Sequence, residues 1–208
     1  DRMAALMPWL SHLQPPRMFQ RVRVDRFSPL FDERRGLSNV VPAAAYGTVF
    51  PFDADTVARL AYFFEHDDDP PRDPEAWFAP CASAIERWRG EVGRAALVRI
   101  DTGTTLHVID TRAASIVGRA RLQGVERDVY LAAEEGARLD EIAARTPAPP
   151  REIERIVEGL VERRFAALID GRVLPLAVPA DAWAPPGVPP ALVANELVEG
   201  YRRRIERL

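Results

Sequence analysis

Five side chains have a type and a setting suited to chemistry: His12, Gln14, Arg26, Ser28 and Tyr46. His12 and Gln14 stand where a helical pattern gives way to a loop and then a strand. Metal ligation by His12 needs further donors nearby. The other two histidines fall elsewhere, His66 in an acidic run and His107 in a hairpin, so hydrogen bonding is the better expectation for His12. Arg26 and Ser28 flank Phe27 at the end of an alternating run, and a period of two sends them to one face and Phe27 to the other. There the guanidinium either offers a rigid fork to a carboxylate or braces the fold through Asp25 or Glu33. Tyr46 follows in an irregular loop, where its hydroxyl either meets a ligand or is satisfied in the core.

Cys81 is the only cysteine, which excludes an internal disulfide and a thiolate-held cluster. Its apolar neighbours mark it as an inert buried thiol. Asp67, Asp68 and Asp69, followed by prolines, read as a solvated turn. With no Ser–His–Asp order and no phosphate loop, the sequence assigns no catalytic residue and no metal ligand.

The elements that must position these groups follow from periodicity. Met3, Leu6, Met7 and Leu10 set a helical stripe ended by Pro15 and Pro16. Gln20 to Asp25 alternates as a half-buried strand stopped by Pro29. Asp32 to Gly36 reads as a turn, residues 40 to 50 as an irregular apolar stretch, and Asp53 as the N-cap of a helix to about Glu65. His66 to Pro74 is a charged, proline-rich break. A helix from Pro74 to about Val92 carries Trp77, Phe78, Cys81, Ile85 and Trp88 on its apolar side. Strands at 97–101 and 105–110 form a hairpin, with a third at 115–122. Helices at 124–135, 139–145 and 150–164 precede a second hairpin, 165–169 and 172–176, turning at Asp170-Gly171. Three helices and a hairpin make a winged-helix pattern. Residues 178–190 form a proline-rich linker, and Leu197, Val198, Tyr201, Ile205 and Leu208 stripe a last helix.

The 208 residues carry a net charge of -3, and all 28 basic residues are arginine. No broad electrostatic pull toward nucleic acid follows. In the 150–164 helix, Arg151, Arg155, Arg163 and Arg164 cancel Glu152, Glu154, Glu158 and Glu162, which disfavours a major-groove reader and hence a transcription regulator. No apolar run approaches the ~20 residues of a membrane span, and the start lacks signal-peptide order. A reduced, cytoplasmic setting without a membrane partner is expected. The opening inside a helical pattern at Asp1 points to the C-terminal piece of a longer chain.

The stretch HLQPP, then RVDRFSPLF, then SNVVPAAAYGTVFPFDADTVARLAYFFEHD resembles the later part of radical SAM proteins that mature ribosomally made peptides. It is most similar to the cobalamin-associated subgroup described as peptide-maturation radical SAM protein 1, some of whose relatives are C-methyltransferases. The resemblance covers chiefly the first third of the chain and weakens toward Leu176. The family's Cys-x-x-x-Cys-x-x-Cys cluster is absent. The resemblance implies four parts. Residues 1–69 are the end of a radical SAM barrel with its capping helix, and 70–93 a linker helix. Residues 94–178 are a winged-helix-like, peptide-binding α+β module, and 179–208 a linker and C-terminal helix. It also implies S-adenosylmethionine, a [4Fe-4S] cluster and cobalamin in the parent, none complete here, so the piece is expected to be inactive alone. His12, Gln14, Arg26, Ser28 and Tyr46 are then substrate or cofactor contacts. The implied partners are a precursor peptide, through its leader or core, and the missing N-terminal radical SAM core. The alternative is a non-catalytic peptide- or protein-binding winged-helix module, with the peptide lying beside Thr105–Asp110 or Ser115–Leu122.

Overall fold

The computed structural model describes residues 2–20, 22–68 and 73–182, with the side chains of 74, 75 and 77 outside the description. The C-terminal helix expected beyond the linker lies outside the described residues. Contacts divide the chain into two compact units, Arg17–Ala79 and a second formed by Asp1–Pro16 with Pro80–Leu208. These limits differ from breaks drawn by charge and proline content, because residues 2–16 pack with the C-terminal module. Among the described residues no helix is long and apolar enough to cross a membrane.

Helix α1 (Arg2–Leu6) tightens into a 3-10 turn over Met7–Leu10, where Pro8 has no N–H to give an α-helical ladder. In the first unit β1 (Val24–Asp25), α2 (Pro29–Glu33), β2 (Leu37–Pro42), α3 (Ala45–Val49), α4 (Ala54–Leu60) and β3 (Phe63–Asp68) follow in order. The strands form one antiparallel sheet in the order β1-β3-β2. Its core gathers Val24, Ala61 and Phe64, with Leu30, Phe31 and Tyr46 against it.

Several expectations are corrected here. Among the described residues, the strand expected from Gln20 pairs only at Val24 and Asp25; Val24 is fully buried while Val22 is 64% exposed. Its neighbour β3 runs antiparallel, whereas a barrel stave lies between parallel strands. Pro29 does more than stop a strand: it opens α2, which Ser28 caps, the first-turn place where its missing N–H costs nothing. The helix begun at Asp53 ends at Leu60, and Phe63–Asp68 forms β3, which takes in the end of that expected helix, with Phe64 buried, and the first three residues of the run read as a charged break, His66 to Asp68.

Helix α5 (Pro74–Glu91) belongs to both units. In the second unit β4 (Leu97–Asp101), β5 (Thr105–Asp110) and β6 (Arg119–Gln123) precede α6 (Val125–Ala132), α7 (Leu139–Ala143) and α8 (Pro150–Glu162). The hairpin β7 (Ala166–Ile169) and β8 (Arg172–Pro175) turns through Asp170 and Gly171, both at positive φ, as a two-residue turn of matching twist requires. Then β9 (Val178–Pro179) pairs in parallel with β4. The larger sheet has the order β6-β5-β4-β9. Alternate residues Leu97, Leu106, Val108 and Leu122 face the helices and meet Val129, Tyr130, Ile142, Ile153, Val157, Leu160 and Phe165.

One polar node ties this core together. The Arg112 and Asp110 side chains are completely buried and bonded twice, Nε to Oδ1 at 2.8 Å and Nη2 to Oδ2 at 2.7 Å. Arg112 also donates to the carbonyls of Trp9 and Arg164. Asp110→Ala leaves that guanidinium buried without its counter-charge and should cost about 3–5 kcal/mol, read as a lowered urea midpoint at unchanged slope.

Candidate functional site

The five residues singled out from the sequence fall in both units, and four of them have structural partners. In the first unit Phe27 adopts a positive φ of 67°, which ends the period of two just after Arg26, and the Arg26 side chain folds onto α4. Its guanidinium donates to the carbonyls of Ala58 and Ala61 at the end of α4, groups that helix geometry leaves without partners. Phe31 and Phe64 flank its cation. The Ser28 hydroxyl accepts from the N–H of Phe31 at 3.2 Å. Tyr46 accepts through its hydroxyl from the N–H groups of Tyr62 at 2.9 Å and Phe63 at 3.2 Å, fixing the entry to β3. These bonds brace the unit.

In the second unit His12 is 1% exposed, and its Nε2–H donates to the Leu176 carbonyl at 2.8 Å. Gln14 is exposed. Burial, and then the positive charge of Arg112, push His12 down to about 4, so it is neutral near pH 7. The unfolded chain, with an ordinary histidine near 6.5, binds more protons between those values, and stability must fall as pH drops from 6.5 toward 4.

The iron–sulfur cluster of a radical SAM enzyme does not fit these residues. One cysteine, Cys81, is buried in α5, and among the described residues no cluster of three His, Cys, Asp or Glu could hold a metal. An iron–sulfur cluster needs several thiolates. None of the five residues lines three cavities formed by the described residues, one in Arg17–Ala79 and two in the second unit.

A different feature stands open: the outer edge of β6. Strand β5 is central, with β4 on one side and β6 on the other, and β9 covers β4. The option of a peptide beside Thr105–Asp110 is therefore closed, while no strand among the described residues pairs with the far side of β6. The Asp110 N–H bonds the Gly118 carbonyl at 2.9 Å. With the register Val108↔Ala120 and Leu106↔Leu122, antiparallel alternation leaves the N–H and C=O of Arg119, Arg121 and Gln123 facing the open edge.

Where β6 ends, a groove of about 490 Å³ opens between Gln123, the start of α6 and one flank of α8. Val125 and Ile156 give it apolar walls, and the Glu126–Arg163 ion pair joins α6 to α8 within it. Gly159 forms part of its floor; a Cβ built there meets nothing within 4 Å. The side chains of Arg119 and Arg121 are exposed. Desolvation and then the charge of Arg121 lower the pKa of His107, its partner across the ladder. Sequence reasoning placed the strand and helix but not the groove, for which Gly159 within an otherwise well-patterned helix was the available signal.

Two outcomes follow. Urea melts at a series of pH values should show stability declining from pH 6.5 to 4, by about 3 kcal/mol for the His12 contribution, and His12→Gln should flatten that part of the slope. Gly159→Ala should raise stability by about 0.5–1 kcal/mol, because helix propensity improves with no clash. Comparison with protein-family models, curated proteins and solved structures finds no match to this chain.

Proposed function

We propose that this chain recruits a peptide: an extended segment adds as a strand along the open edge of β6, and one of its side chains enters the groove beside α8. The observation that carries this reading is the asymmetry of the larger sheet, whose β4 edge is covered by β9 while β6 presents three consecutive outward backbone positions. Main-chain bonding gives such an addition its affinity, and pockets for alternate side chains give it specificity. The three helices and hairpin behind the sheet form a winged-helix-like scaffold for that edge. The resemblance to peptide-maturation radical SAM proteins supplies the context: a cytoplasmic enzyme using S-adenosylmethionine, an iron–sulfur cluster and cobalamin, with this piece presenting the leader of a precursor peptide to a catalytic core carried by other residues. No step of that chemistry is assigned to the residues described here.

A second reading concerns Arg17–Ala79. Val22, Phe27, Val49, Phe52 and Leu60 are all more than half exposed in this small unit. That supports packing of this unit against the barrel of the parent enzyme.

The edge is tested by Arg121→Pro. Proline is tolerated on an edge strand where its N–H faced solvent, so the full-length variant should keep its urea midpoint to within about 1 kcal/mol of stability. It should lose binding of a labelled precursor peptide that the parent chain binds in fluorescence anisotropy. Equal binding by the two proteins, or none by the parent chain at high micromolar peptide, would remove the reading.

A further inference from the structure

The same register that opens the β6 backbone also decides which peptide it suits, an inference that rests on the strand-addition reading. Side chains alternate across a strand. Ala120 and Leu122 face the helices, so Arg119, Arg121 and Gln123 share the opposite face. Among the described residues neither Arg119 nor Arg121 makes an ion pair. Two like charges about 7 Å apart on one exposed strand face repel each other. Residues of an added strand pointing to that face would lie directly across from them, the placement in which opposite charges stabilise a sheet. Residues pointing the other way share the helix-facing side of Ala120 and Leu122, and at the end of β6 the groove beside Gln123 has Val125 and Ile156 in its lining and room over Gly159.

We propose that β6 selects an acidic segment, with Glu or Asp at alternate positions against Arg119 and Arg121 and a bulky apolar side chain seated over Gly159 beside Ile156. The ligand is thus an amphipathic acidic peptide read in extended form. An edge guarded by charge merely to prevent aggregation would show no such preference.

The test uses the 208-residue chain and three labelled peptides of about ten residues, near the upper length of an ordinary strand. One alternates Glu and Thr with a Phe near one end. A second has Lys for Glu, and a third Ala for Phe. The first should bind roughly tenfold tighter than either of the others, and its lead over the Lys peptide should shrink as salt rises. Arg119→Gln with Arg121→Gln should erase the Glu-over-Lys preference while leaving the Phe-over-Ala preference. Gly159→Leu should do the reverse. If the Glu and Lys peptides bind equally well, charge selection is overturned though the edge reading stands. If binding persists with no Phe preference, the anchor is overturned. If none of the three binds, the edge reading falls and the inference with it.

Discussion

A buried ion pair between Arg112 and Asp110 is the constraint on which the second unit depends. Two charges removed from water repay their desolvation only when every donor is used, and here the guanidinium does more than meet its carboxylate. Its remaining N–H groups reach the Trp9 carbonyl in the N-terminal turn and the Arg164 carbonyl just past α8. Three segments distant in sequence therefore meet at one cation. Arg164 itself sits at a φ of 60°, a conformation that glycine adopts with less strain. It closes α8 with the N–H of Phe165 on the Leu160 carbonyl and its own N–H on that of Val161. Its guanidinium then donates to Ala114 in the β5–β6 connection and lies over Trp9. The end of α8 is thus tied to the segment leading into β6, and the distance between helix flank and sheet edge is held from that side.

Legibility in the sequence tracked how local the signal was. The β4–β5 hairpin and α8 were plain because their side chains repeat at 2 or 3.6 residues and their ends carry turn or capping residues; Ile153, Val157 and Leu160 are all buried as that spacing requires. In Arg17–Ala79 the reading failed because the elements lying wholly within it are two to seven residues long and several of their apolar side chains stay exposed. Tyr62 and Phe63 appeared to continue the stripe of α4, but they stand at the start of β3. Only the pairing of Phe64 with Val24 settles that, and it spans some forty residues.

The residues chosen for chemistry illustrate the same limit. Arginine beside serine at a strand end is equally suited to hold a ligand or to satisfy helix termini, and types alone do not distinguish these roles. The structure uses Arg26 at the end of α4 and Ser28 at the start of α2. Likewise His12 is an internal strut to Leu176, not a rim group. The feature proposed to carry recognition, a strand flank unpaired among the described residues near a glycine in a helix, has no side-chain signature of its own.

An unpaired strand flank also invites a second copy of the same molecule. In an antiparallel dimer centred near Arg121, the arginines of one copy would lie against those of the other, and the homotypic ladder would bring four guanidinium groups together on one face. That crowding disfavours self-templated fibre growth and domain-to-domain adhesion at high concentration. The pair of arginines on β6 thus works against self-association along this edge.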